Sequence, residues 1–261
     1  MKKRVDFCEK IIEKKIKGDN IFFTDETKID MSPYTNDSIR LTNESKIKLK
    51  RGDLEVYDLI NRQEKKFEKS LIIAGGLSAF GLSRLIVLEG TLNEFAYGQS
   101  LLNFKEDIDS INKKYNANLF LEQDGARAHT SKSNLKLINE LFGDKWIQNP
   151  PNSPDLAYPI EALWGIIKPR IKRRNPKTIQ ELKQFTLEEW NSVPPQLLKN
   201  LCSNYLKRIE KVLELNGARL EPEHLRQLSK KKNDLYEWKI PKKLSNIEIV
   251  YNDEKLKKIK K

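Results

Sequence analysis

The order of elements along the chain predicts an α/β fold: a mixed central β-sheet flanked by helices. Three observations carry this. After one short helical segment, apolar strand patterns occupy 21–24, 71–77 and 82–90. Strand and helix patterns then alternate through residues 93–148. From Pro159 onward the apolar spacing is helical alone. Strands that precede alternating strands and helices need a sheet covered on its faces by helices.

Each element has its own reason. Residues 4–17 space Val5, Cys8, Ile11, Ile12 and Ile16 at helical intervals, and Gly18-Asp19-Asn20 ends the run. IFFT (21–24) is a short apolar strand running directly into Asp25. Residues 27–69 are polar and irregular and read as a long excursion with short strands. LIIAGGL (71–77) and LSRLIVLEG (82–90) read as two strands joined by a turn through Ala79-Phe80-Gly81. Phe95, Leu101, Leu102, Phe104, Ile108 and Ile111 mark a helix over 93–114, and ANLFLEQ (117–123) is the next strand. A helix over 131–142 and a short strand WIQ (146–148) follow. Pro159 suits the first turn of a helix running to about Lys168, where Pro169 should kink or stop it. Helices at 178–190 and 195–215 complete the compact part, the latter closed by Asn216-Gly217. Residues 1–225 are thus one domain, and 226–261 read as a basic C-terminal tail.

The bulk numbers narrow the partners. The chain has 261 residues, a net charge of +12, 38% hydrophobic and 33% charged residues. That is enough to bury a full core. The longest apolar run, LIIAGGLSAFGL (71–82), is too short to span a bilayer, so no membrane partner is predicted. Two cysteines, Cys8 and Cys202, form no disulfide framework and no CxxC pair, which fits an intracellular, reducing compartment. Residues 226–261 hold twelve Lys/Arg against five Asp/Glu, and Lys168 through Lys183 hold seven bases against Glu181 alone. Such runs are either solvated surface or a footprint for a polyanion.

Three acids stand in distinct cassettes: Asp25 in FFTDETK (22–28), Asp124 in LFLEQDGARAHTS (119–131) and Glu161 in PPNSPDLAYPIEALWG (150–165). Aspartate is disfavoured inside strands, so Asp25 and Asp124 are placed at the ends of adjacent strands. Two carboxylates held together repel until one takes a proton or a hard divalent cation neutralises them. A third from a helix, Glu161, completes a site for two ions about 3.5–4 Å apart, the arrangement used for phosphoryl transfer. Each acid has a plain alternative. Asp25 could be a turn residue paired with Lys28, with Glu26 as the ligand instead. Asp124-Gly125 is an ordinary turn dipeptide, and Glu161 could serve a helix dipole.

The cassettes together tip the balance, because they carry a resemblance. FTDET, QDGARAHTS and SPDLAYPIEALWGIIK, in that order, resemble the three signature segments of the mariner superfamily of DDE transposases. LIIAGGLSAFGLSRLIVLEGTLN (71–93) resembles the family's central strands, and NYLKRIEKVLELNGARL (204–220) its final helix and glycine. The similarity spans roughly residues 4 to 221, and SPDL…PIE…LW is its most specific piece. It implies an RNase H-like fold with Asp25, Asp124 and Glu161 as a triad for two Mg²⁺ or Mn²⁺ ions. It also implies DNA cleavage by water, then attack of the freed 3′ hydroxyl on target DNA. The implied partners are transposon ends and target DNA, with a homodimer formed through a loop in the 27–69 region. Nuclear localisation follows if the source is eukaryotic, and an intracellular one otherwise. A catalytically inactive or domesticated DNA-binding relative is the alternative.

Within this reading His129 matches a family histidine that positions DNA or a carboxylate, or is structural. Lys168, Arg170, Lys172, Arg173 and Arg174 are candidate nucleic-acid contacts, and Asp155 a structural loop acid. Two features depart from the pattern. The loop reads Ala157-Tyr158 where the usual form has one residue, leaving 36 residues between Asp124 and Glu161. The first 18 residues do not hold the bipartite helix-turn-helix region that reads transposon ends, so a separate recognition protein in trans is one expectation.

Overall fold

The computed structural model describes residues 1–31, 69–221, 223–224 and 247–251. The long excursion lies mostly outside the described residues, as does the predicted dimer loop. Helix α1 (Lys2–Glu13) and a 3-10 turn lead into β1 (Ile21–Asp30). Then come β2 (Ser70–Ser78), β3 (Gly81–Leu82), β4 (Leu85–Glu89), α2 (Glu94–Tyr115) and β5 (Phe120–Gln123). After α3 (Lys132–Phe142) and β6 (Trp146–Gln148) the chain is helical: α4 (Tyr158–Arg173), α5 (Ile179–Asn191), α6 (Pro195–Ser203) and α7 (Tyr205–Glu214). The last described element is β7 (Ile247–Tyr251).

Seven strands form one mixed sheet in the order β6-β5-β1-β2-β4-β7, with β3 paired to β2. The pairs β1–β2 and β2–β4 are antiparallel, whereas β1–β5, β5–β6 and β4–β7 are parallel. Alternation along each strand sends neighbouring residues to opposite faces. Phe23, Ile73 and Val87 join one core with α1 and α4–α7, while Phe22, Ala74 and Ile86 join another with α2 and α3. Phe23 meets Tyr205 edge-on at 5.2 Å, and Phe22 meets Phe104 at 6.1 Å. On the first face Trp164 and Trp190 stack at 4.8 Å. Gly75 makes room for them, since a Cβ there would lie 2.7 Å from Trp190 and 3.2 Å from Trp164.

Five sequence expectations need correction. Strand β1 continues through Asp30, because its outer half is paired all along with β2, so Asp25 stands mid-strand. The segment 82–90 is broken at Ser83-Arg84, where Ser83 Oγ accepts the Gly76 N–H at 2.8 Å in place of a ladder carbonyl. Pro169 does not stop α4, which continues to Arg173. Ile167 and Ile171, both fully buried, anchor the helix on either side of the proline, and this packing outweighs the missing hydrogen bond. The helix expected over 195–215 is two, α6 and α7, meeting at Asn204. Finally, 226–261 is not all tail, since Ile247–Tyr251 pairs with β4 at the sheet edge.

The end of α7 follows expectation. Asn216 (φ 50°) and Gly217 (φ 81°) are both left-handed, and the Gly217 N–H returns to the Val212 carbonyl at 2.8 Å.

Candidate active site

Parallel pairing of β1 with β5 sets the first two acids. Phe23 pairs with Glu122, the last step of the ladder. Two residues further along both strands stand Asp25 and Asp124, where β5 has just ended and β1 continues. Asp25 shares the face of Phe23, the one covered by α4. Asp124 leaves the strand in a tight turn, its Oδ1 accepting the Ala126 N–H at 2.9 Å.

Glu161 comes from the first turn of α4. Ile160, Leu163, Trp164 and Ile167 bury the opposite side of that helix, which leaves Glu161 exposed on the other. The loop before α4 is stapled in place. Arg4 binds Asp155 with both terminal guanidinium nitrogens, at 2.9 and 2.6 Å. The Leu220 N–H adds a third bond to the same carboxylate at 3.0 Å. Arg4 also donates to the Gly217 and Ala218 carbonyls, so one buried arginine ties α1, the loop and the chain after α7. Asp155 is thus structural. Ala157 precedes α4 and Tyr158 opens it, with Arg208 lying over the Tyr158 ring at 3.2 Å.

The electrostatics register how the acids are grouped. Burial, then the charges of Glu26, Glu161 and Asp124, push the Asp25 carboxyl up to about 8. Glu122, fully buried, is pushed well up by burial and by Asp25 and Asp124, and Asn149 donates to its Oε1. Asp124 is the exception: His129 and the Ala126 N–H outweigh burial and hold it below the ordinary value. Among the described residues, no three His, Cys, Asp or Glu side chains close into a ready-made metal cage. The donor set nevertheless suits a hard divalent cation. Several carboxylates face one another with too little positive charge, and Glu26 Oε1 and Glu122 Oε2 are buried without a hydrogen-bond partner.

His129 is 3% exposed, too buried to reach a nucleic acid as the sequence allowed. Its Nδ1 lies 2.6 Å from Asp124 Oδ1 and its Nε2 3.1 Å from Glu26 Oε2. Both approaches are out of line for directed hydrogen bonds, so the attraction is that of an ion pair. Against the cost of burial, the two carboxylates raise the imidazole to about 10. Tyr97 stacks on the ring at 3.8 Å.

The basic candidates sit on the second half of α4 and are partly spoken for. Arg170 pairs with Glu189 at 2.6 Å, and Arg174 binds Glu188 while lying over the Phe185 ring. Lys172 pairs with Asp30 at 3.0 Å. Arg173 is exposed and Lys168 half-buried. Sequence reasoning missed Glu122, Tyr97 and Asn149. An acid at an inward position of LFLEQ was the one available signal, and a single charge in a strand says little by itself.

Comparison with known proteins agrees with this architecture. No family model matches the chain. A 103-residue segment is 37% identical to the Transposable element Tc3 transposase of Caenorhabditis elegans, covering 37% of this chain and 29% of that protein. The Mos1 transposase paired-end complex with left transposon end superposes with a TM-score of 0.65 at 17% identity. It covers 84% of this chain and 62% of that one. The Mos1 mariner paired end complex with Mn gives 0.65 at 18%, with the same coverage. The catalytic domain of Mos1 mariner transposase gives 0.60 at 16%, over 84% of this chain and 94% of that domain. The fold is therefore RNase H-like. The 103-residue match is to a transposase, and the fold is shared with a mariner transposase catalytic domain.

Proposed function

We propose that this catalytic domain cuts and joins DNA strands, with Asp25, Asp124 and Glu161 holding two Mg²⁺ or Mn²⁺ ions. When bound, such ions activate the attacking oxygen and stabilise the leaving one. The chain's own part is to hold three carboxylates from β1, the end of β5 and α4 in one place. Water then cleaves one strand of a transposon end, and the freed 3′ hydroxyl attacks target DNA. In a eukaryotic source the reaction takes place in the nucleus, with a second copy of the chain as partner.

One observation carries the reading. Asp25 is driven to about 8 by burial and by a set of charges that includes the other two members of the triad. A folding domain gains nothing from that repulsion, whereas a divalent cation would relieve it. The complex with Mn and the one with a transposon end add support by likeness of fold. Lys168, Arg170, Lys172, Arg173 and Arg174 supply phosphate contacts along α4, which read little sequence and weaken with salt.

The test is divalent-dependent nicking of a supercoiled plasmid. Asp124→Asn should drop nicking to background while its thermal melt without cation stays close to that of the unsubstituted protein. Equal nicking by that variant would sink the proposal, and loss of nicking with loss of the fold would call for Glu161→Gln on its exposed helix face.

A further inference from the structure

One side chain in the site region has no role in the triad. Glu26 follows Asp25 in β1, so strand alternation points it to the opposite face, toward α2 and α3. Its side chain is 10% exposed, one oxygen lies 3.1 Å from His129 Nε2, and the other has no hydrogen-bond partner. His129 is in turn clamped. Its backbone N–H is bonded to the Ala126 carbonyl at 3.0 Å, its ring is stacked on Tyr97, and its Nδ1 meets Asp124 Oδ1 at 2.6 Å. Tyr97 is itself fixed, fully buried, with its hydroxyl donating to Gln123 Oε1.

We propose that Glu26 and His129 form a positioning relay for Asp124, a proposal that rests on the metal-site reading above. Glu26 fixes the imidazole, and the imidazole fixes the carboxylate by engaging Oδ1, so that Asp124 meets a cation with its other oxygen. Three observations favour this over a merely structural ion pair. The Asp124 side chain is 54% exposed, so burial alone does not fix its orientation. The His129 ion pair and the Ala126 N–H hydrogen bond fall on the same Asp124 oxygen. Glu26 is buried with His129 as its one ion-pair partner among the described residues, which is costly unless its position matters. Outer partners that orient a metal-binding group commonly change metal affinity about 10–100-fold when removed.

The test reads cation binding rather than turnover. The Mn²⁺ concentration giving half-maximal thermal stabilisation is measured for the full chain, Asp124→Asn, Glu26→Gln, His129→Gln and the double variant. The relay predicts that Glu26→Gln and His129→Gln each need roughly tenfold more Mn²⁺. It also predicts that the double variant needs no more than His129→Gln, since Glu26 acts through the histidine. If Glu26→Gln and His129→Gln bind Mn²⁺ like the unsubstituted chain while Asp124→Asn does not, the relay falls and the metal site stands. Tighter binding in His129→Gln would overturn it too, by showing that the imidazole merely repels the cation. If the unsubstituted chain and Asp124→Asn both show no stabilisation, the metal site fails and takes the relay with it. Should His129→Gln not fold, Glu26→Gln alone decides: unchanged half-stabilisation rejects the relay.

Discussion

Asp155 and Asp25 are both shielded acids on the α4 side of the sheet, and their surroundings are opposite in kind. Asp155 receives two guanidinium bonds and a backbone N–H, and these hold its carboxyl below the ordinary range despite burial. Asp25 is pushed up to about 8 by burial and then by the nearby charges of Glu26, Glu161 and Asp124, with no cation among its influences. The first is a closed structural joint. The second is a charge problem that the fold leaves open, and this contrast separates an acid that holds the protein together from acids placed to hold something else.

The largest effect is expected at the joint. Arg4→Ala strips the buried Asp155 carboxylate of both its guanidinium bonds, leaving only the more distant Arg208 charge, and should cost about 3–5 kcal/mol, measured by urea unfolding near neutral pH. A loss under about 1 kcal/mol would put the joint on a par with exposed pairs and erase the contrast.

The pH dependence without divalent cation sharpens it. Asp25 has a folded value of about 8 against an ordinary 3.8, so its contribution to stability is complete below 3.8 and lost as pH rises through 8. Asp155 has the reverse sign: its contribution is present above 3.8 and lost as pH falls through its lowered folded value. His129, raised from 6.5 to about 10, contributes no slope until pH passes 6.5, so the interval from about 4 to 6.5 isolates the carboxyls. Glu122 adds a decline of the same sign as Asp25. Asp25→Asn should therefore flatten the decline in that interval, by at most about 1.4 kcal/mol per pH unit. An unchanged slope would mean that Asp25 is not the strained group.

The smallest effect belongs to a third acid on the same strand. Asp30 and Lys172 pair at 3.0 Å with side chains 37% and 28% exposed. Asp30→Asn should change stability by less than about 1 kcal/mol, and added salt should shrink the difference further. A larger loss would show that exposure is a poor guide to these pairs.

Much of the fold was legible because its signals are local. The helices expected over 93–114 and 131–142 are present as α2 and α3, and the structure adds that Asn93 and Ser131 cap them, accepting from the backbone of Ala96 and Asn134. The errors share one cause. Pro169 sits inside α4 because Ile167 and Ile171 are buried on both sides of it, and Asp25 sits mid-strand because β2 pairs past it. In each case distant packing overrode a correct local preference. The basic run on α4 was visible as charge, but Glu188, Glu189 and Asp30 come from other elements and take up part of it.

For the site, residue order alone identifies the candidate acids and the cassettes in which they stand. Order along the chain and turn chemistry after β5 are covalent and short-range facts. Only the tertiary structure decided that Glu26 and His129 join them from the far face of the sheet, and that Asp155 is spent on Arg4. Those choices depend on parallel register between β1 and β5 and on contacts across 151 residues of chain, where charge acts through space and sequence spacing carries no distance.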